Sequence, residues 1–366
     1  MKKTLIALAT LGGGVSLAIV PAVSLISATK LFAIEQQGIL SVAIMFATFI
    51  GQTSTAALIE TKLATPNRQE GIRVPNYLVW LCVVTALVFF IWPSNIWLIV
   101  AGLPILFTSM ESGRAAAVAE RRDTREIYAS SIITGTSLLT LVSAFAGIPQ
   151  TFAFLACGVL IATFIRTYGV RADKISPSRH IFVWVIADVG ITGAIFPLLN
   201  FVIISQLGAI SAVAFAAVST ASGIVGIPLT FLRMRLLSEH SRFDVFISVF
   251  AVITAVIAIF IANWLGLFSQ LFGKSWNEAA SISALFIACL WRATSILTTI
   301  PFAKFRREGQ AKLVTYVRLA SSVYIFLISI LVVKFDNLTL VFCALLTGEI
   351  IQWLAFEFLS RKKISK

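Results

Sequence analysis

Along most of this chain apolar residues follow one another in long blocks, broken by short polar stretches rich in Pro, Ser, Asn and Gly. A helix rises 1.5 Å per residue and the hydrocarbon of a bilayer is ~30 Å thick, so a block of ~20 apolar residues predicts one membrane-spanning helix. Twelve such segments are expected, near 4–26, 38–59, 75–92, 96–112, 127–146, 149–168, 181–203, 208–231, 244–264, 277–300, 311–333 and 338–358. Trp92-Pro93-Ser94-Asn95 and Gly147-Ile148-Pro149 read as tight turns, and Pro66-Asn67 and Ser176-Pro177-Ser178 as polar loops. The chain starts Met1-Lys2-Lys3 and stays apolar from Thr4 to about Ser27. That run exceeds the ~7–15 residues of a signal-peptide core, and an uncleaved first helix is expected. The predicted fold class is an all-α polytopic membrane protein.

Composition agrees with lipid as the main solvent. Hydrophobic residues make up 58% of the 366 residues and charged ones 12%, with a mean hydropathy of +0.96. The net charge of +13 does not point to nucleic acid, because no basic stripe carries interleaved aromatics. Its distribution reports orientation instead. Taken segment by segment, 24 of the 29 Lys and Arg fall on one side, including Lys62, Arg68, Arg73, Arg114, Arg121, Arg122, Arg166 and Arg171. Lys30, Lys274 and Lys334 fall on the other side, and Arg292 and Arg318 inside helices. By the positive-inside rule the 24-residue side is cytoplasmic, with both termini on it, in a plasma-membrane protein. The four cysteines, Cys82, Cys157, Cys289 and Cys343, all sit in apolar segments without metal-type spacing, so packing roles are expected and neither a disulfide nor a metal.

Six segments lie on each side of a polar stretch, which suggests an N-terminal six-helix bundle over 1–170, a cytoplasmic linker over 171–180 and a C-terminal bundle over 181–366. A parallel repeat is the simplest origin of that symmetry. Arg121-Arg122-Asp123 after the fourth segment is echoed by Arg306-Arg307-Glu308 after the tenth.

A charge at mid-membrane costs at least ~2.5–3.5 kcal/mol on insertion scales, so those that persist need a reason. Four stand out: Asp188, Arg292, Arg318 and Glu349, in the seventh, tenth, eleventh and twelfth segments. On one reading Arg292 and Arg318 grip a diphosphate through their forks of N–H donors, with Asp188 and Glu349 as charge partners that substrate displaces. On the other, two cations and two carboxylates pair off and fix helix register. Hydroxyls at Thr53, Ser54 and Thr55, at Ser130, Thr134 and Ser137, and at Ser219, Thr220 and Ser222 suit either a hydrated path or close helix contact. Gly12-Gly13-Gly14, Pro21, Gly223, Gly226 and Pro228 suit either hinges or close packing. No nucleotide-binding, metal or Ser/His/Asp pattern appears, which disfavours an ATP-driven pump. Outer acids, Glu35, Glu278 and Asp336, are too scattered for a catalytic pair, so an enzyme is not expected and no cofactor is implied.

Glu35-Gln36-Gln37-Gly38 entering the second segment, Ala56 to Lys62 leaving it, and the basic exit of the fourth from Arg114 to Arg122 complete a layout. With twelve segments in two sets of six, it resembles the polysaccharide flippases of the multidrug/oligosaccharidyl-lipid/polysaccharide (MOP) exporter superfamily. The resemblance implies two six-helix bundles around a central cavity. It also implies outward movement of a polyprenyl-diphosphate-linked glycan by alternating access, with Arg292 and Arg318 as headgroup ligands. A glycan polymerase or glycosyltransferases would then be protein partners. A cation-coupled small-molecule exporter of the same superfamily is the first alternative, with Asp188 or Glu349 as its acid, and a membrane-embedded cell-envelope enzyme the second.

Overall fold

A computed structural model of the chain describes residues 2–57, 61, 77–119, 122–169, 179–238 and 242–364. Among them no strand occurs, and the helices follow the apolar blocks. They are α1 (Lys2–Leu31), α2 (Ile34–Thr55), α3 (Tyr77–Ile91), α4 (Ile96–Ala119), α5 (Asp123–Phe145), α6 (Thr151–Thr167), α7 (Arg179–Gly223), α8 (Gly226–Ser238) and α9 (Arg242–Trp264). The short α10 (Leu267–Phe272) and α11 (Lys274–Ala279) precede α12 (Ile282–Arg307), α13 (Ala311–Val333) and α14 (Leu338–Ile364). The loop around Arg68 and Arg73, Arg121, His240 and the expected linker 171–180, apart from the first two residues of α7, lie outside the described residues.

Nine of the described helices are long and apolar enough to cross a membrane, and two shorter apolar ones, Tyr77–Ile91 and Thr151–Thr167, accompany them. One of the nine, Phe182–Gly223, has 42 residues, twice the length of a span. Gly208 divides it at φ 83° and ψ 180°, a conformation open to glycine because it has no Cβ. Counting that helix as two passes yields the expected twelve. The eighth predicted segment is itself interrupted, because the backbone turns at Ile224 and Val225 before α8 begins. There Val225 donates to the Ser222 carbonyl at 3.0 Å and Ile227 to that of Ile224 at 3.2 Å. A second departure is α4, which runs to Ala119 rather than stopping near 112. Arg114 therefore lies inside the helix, as Glu111 does.

The chain divides into two compact units, Met1–Val189 and Gly190–Lys366. In the first, α1 packs on α5, α2 on α4, and α6 on α3, α4 and α5. Its core is aromatic at one end, where Phe152 meets Phe89 edge-on at 6.4 Å and Phe32 at 6.2 Å. Glycine sets the closeness of α5 and α6, since a Cβ on Gly158 would lie 1.9 Å from Thr136 Oγ1. The end of α6 is closed from the same neighbour. Arg122 donates to the Tyr168 and Gly169 carbonyls, at 2.7 Å each, and Arg125 also donates to the Tyr168 carbonyl. Cationic donors thus satisfy carbonyls that a helix C-terminus leaves without intrahelical partners.

In the second unit α14 packs on α12 and α13, and α8 on α9 and α12. Phe215 stacks on Phe342 at 5.2 Å, and Phe305 meets Phe356 at 5.8 Å. Phe268, Phe272 and Trp276 cluster between α10 and α11, filling what the sequence presents as a loop. Outward-facing Phe246, Phe250 and Ile253 make α9 an apolar surface suited to lipid. Exposed Trp92, Trp97 and Trp264 stand at helix ends, where indole rings meet the membrane–water interface.

Candidate functional site

Each unit holds a group of charged side chains within its helices. In the second unit it is built on i, i+3 spacings, which stack side chains on one helix face. Along α12, Arg292, Ser295 and Thr298 follow one another. On α13, Arg318 precedes Ser321, and on α14, Glu349 precedes Gln352. Thr298 donates to Glu349 Oε1, with Ser295 alongside, and Ser321 donates to Gln352 Oε1 at 3.0 Å. Glu349 feels both Arg318 and Arg292 electrostatically. The Arg292 guanidinium carbon lies 4.1 Å from the centre of the Trp291 ring and 5.4 Å from that of Phe196. Its Nε is buried without a hydrogen bond among the described residues. Counting ~1.5 Å per residue, Arg292 lies about 15 Å and Glu349 about 16 Å from the starts of their helices, close to mid-membrane depth.

Three of the four intramembrane charges singled out from the sequence thus meet in one unit. Two cations and one carboxylate leave that group with a net positive charge. Asp188 is buried on α7 within the first unit.

The first unit's group escaped the sequence reading. Arg114 and Arg166, counted from the sequence among the cytoplasmic-side charges, lie inside α4 and α6. Arg166 is 0% exposed and Glu126, on α5, 1%. They form a forked pair, Nε to Oε2 at 2.8 Å and Nη2 to Oε1 at 2.7 Å. Arg114 Nε stands 3.8 Å from Glu126 Oε1, and Ser130 donates to that oxygen at 3.2 Å. Glu111 accepts from Thr55 at 3.2 Å and feels both arginines electrostatically. Two carboxylates balance two guanidiniums, which is how buried charges persist in a poor solvent for ions. Gly13 of α1 lies directly against them, since a Cβ there would be 2.5 Å from Glu126 Oε1 and 2.6 Å from Arg114 Nε. Its small size serves a close approach in an unbroken helix. Ser130 and Thr55 belong to this network, so those hydroxyls make charge-assisted contacts. The available signal was Glu111-Ser112-Gly113-Arg114, an acid and a base one turn apart at the end of an apolar run.

Among the described residues no group of three or more His, Cys, Asp and Glu is arranged to hold a metal ion. Searches with family models and among curated proteins returned no match. Solved structures do match over the full length. One is an outward-facing multidrug resistance MATE family transporter of the MOP superfamily, 14% identical, with a TM-score of 0.55 over 100% of this chain and 96% of that one. A second is the eukaryotic MATE transporter AtDTX14, at 12% identity and a TM-score of 0.53 over 98% and 94%. A third is a MOP superfamily transporter from Pyrococcus furiosus, whose reverse binding-pocket polarity is taken to suggest a different function. It is 13% identical, with a TM-score of 0.50 over 100% and 96%. At these identities the likeness is one of fold: this is a multi-pass membrane protein with the architecture of MATE and MOP transporters.

Proposed function

We propose that the protein is a MOP-type exporter that carries a small organic molecule out of the cytoplasm by exposing a binding site alternately to the two sides of the membrane. The observation behind this reading is that the fold likeness spans essentially the whole of both chains and that the matched proteins are transporters. Intramembrane charges in each unit accord with it, because ionisable groups retained in lipid mark substrate or ion pathways. In the second unit the aromatic-flanked guanidinium of Arg292 offers N–H donors and a flat cationic face, which suits an anionic or zwitterionic aromatic substrate. Glu349, held by Thr298 and near both arginines, is the candidate acid for coupling to a cation. Both termini are cytoplasmic in this proposal. Removing Arg114 and Arg166 from the basic side leaves 22 Lys and Arg there, and the bias survives.

A second reading, a flippase for a polyprenyl-diphosphate-linked glycan, is favoured by the net positive charge that Arg292 and Arg318 create beside one carboxylate. Both readings place substrate on Arg292, the second on Arg318 as well, and they differ in its size and lipid tail. Reconstituted protein separates them. Vesicles carrying an imposed cation gradient are assayed for export of fluorescent anionic and zwitterionic dyes, and in parallel for transfer of a fluorescent polyprenyl-diphosphate sugar between leaflets. Gradient-driven dye export that Arg292→Ala abolishes in folded protein supports the first reading. Sugar transfer without dye export supports the second, and neither activity overturns both.

A further inference from the structure

Opposite charges within reach of one another in a poor solvent for ions ordinarily close into a pair. Arg292 of α12 and Glu349 of α14 do not. Their helices pack together and the two groups attract each other electrostatically. Yet no ion pair or hydrogen bond joins them, nor joins the Arg292 guanidinium to any other described residue. Each is held by other means. The Phe196 and Trp291 rings, 5.3 Å apart, lie 5.4 and 4.1 Å from the Arg292 guanidinium carbon, an attraction through aromatic faces that uses none of its five N–H donors. Thr298 donates to Glu349 Oε1, and Ser295, one turn from Arg292, stands alongside. Both charged residues are half-buried. Arg292 Nε is closed off, and its two terminal nitrogens are open. Arg318 also acts on Glu349, but its guanidinium lies over Phe302 at 5.2 Å, where Arg233 and Arg306 stand at 4.6 Å each. It adds positive charge from the side of α13.

We propose that Arg292 and Glu349 are the two anchors of one dipolar ligand, an amino-acid-sized zwitterion whose carboxylate lies on Arg292 and whose ammonium lies on Glu349. The inference rests on the exporter reading and narrows its substrate from anionic or zwitterionic to zwitterionic. Length is the first support. Arg292 and Thr298, which holds Glu349, are six residues apart, about 9 Å along α12. In an α-amino acid the nitrogen and the carboxyl carbon are ~2.5 Å apart, and a charge-assisted hydrogen bond of ~2.8 Å at each end brings the span to roughly 8 Å. Charge is the second support. A plain anion would satisfy Arg292 and be repelled by Glu349, and a plain cation the reverse. A zwitterion meets both and adds no net charge to the membrane interior, where each uncompensated ion is costly. The guanidinium fork also matches the two oxygens of a carboxylate.

The experiment uses the full chain in neutral phosphatidylcholine nanodiscs at neutral pH. Isothermal titration calorimetry measures binding of the zwitterions phenylalanine and tryptophan, of the anion phenylacetate and of the cation phenethylamine. Saturable binding of a zwitterion, about ten-fold or more tighter than of either singly charged probe, is the expected result. Arg292→Gln and Glu349→Gln each weaken zwitterion binding by a similar factor. Glu349→Gln protein takes the anion more tightly than wild type does, and Arg292→Gln protein the cation. A variant that merely fails to fold gains no ligand, so this crossed pattern separates a lost anchor from a lost structure. Absence of saturable binding of both zwitterions, anion binding as tight as theirs, or wild-type zwitterion affinity in Glu349→Gln protein overturns the proposal. Dye export by reconstituted protein that binds no zwitterion sinks this inference and keeps the exporter. Zwitterion binding without export of any probe keeps the site and sinks the exporter.

Discussion

Replacing Glu126 with Gln removes the carboxylate that Arg166 and Arg114 both approach within 4 Å. Arg166 then keeps its full burial but loses both charged hydrogen bonds, at 2.8 and 2.7 Å, and Arg114 loses a neighbour at 3.8 Å. Glu111 then stands beside two guanidiniums. Breaking a buried pair by removing one partner costs about 3–5 kcal/mol, because the remaining charge stays desolvated. Arg166→Met costs less, since Glu126 retains Arg114 and the Ser130 hydroxyl. The double variant Glu126→Leu/Arg166→Met removes both charges and leaves Arg114 with Glu111, so most of the loss is recovered. The assay is thermal unfolding in detergent, followed by retention of a monodisperse peak on gel filtration. For a unit of this size the Glu126→Gln midpoint falls on the order of 10 °C, Arg166→Met falls less, and the double variant returns towards wild type. Both single variants within about 2 °C of wild type, or a double variant as unstable as the worse single one, would refute the argument that pairing is what keeps these charges in the helices.

Gly158→Ala forces apart α5 and α6, because its methyl would lie 1.9 Å from Thr136 Oγ1. A loss of about 1–3 kcal/mol is expected in the same unfolding assay, and Gly158→Ala with Thr136→Ala should restore much of it. Gly348→Ala meets the branched side chain of Ile325 at 2.1 Å on the neighbouring helix, and a comparable loss is relieved by Ile325→Ala. Arg122→Gln removes two 2.7 Å hydrogen bonds to the end of α6 and costs about 1–2 kcal/mol. Its hydrogen-exchange signature is faster exchange confined to the last turn of α6. Reporter fusions at the C-terminus should register the cytoplasmic side, and a periplasmic or extracellular signal would reverse the assigned orientation.

Much of the architecture follows from chain composition alone. Lipid offers backbone groups no hydrogen-bond partner, so an apolar block of sufficient length has one economical state, the helix, and its ends are marked where polar and Pro-containing turns intervene. For the same reason Arg292, Arg318 and Glu349 were visible as exceptions. A charge far inside an apolar block is conspicuous whichever way its helix faces.

Tertiary structure decided what helix rotation and axial depth conceal. Arg114 and Arg166 stand near the ends of their apolar blocks, where a loop residue and a buried ligand of Glu126 look alike in one dimension. Contact between α4, α5 and α6 makes them a network, and Gly13 admits α1 against it. The interruption at Ile224 and Val225 was equally hidden, since Gly223, Gly226 and Pro228 are compatible with a packed helix as well as a broken one. Three arginines came together over Phe302 from positions 233, 306 and 318 because α8 and α12 pack together, as do α12 and α13. The apolar pattern determined that helices form and where they run. Which charged faces meet depended on packing, because burial of an ion is tolerated only opposite a partner that a neighbouring helix brings.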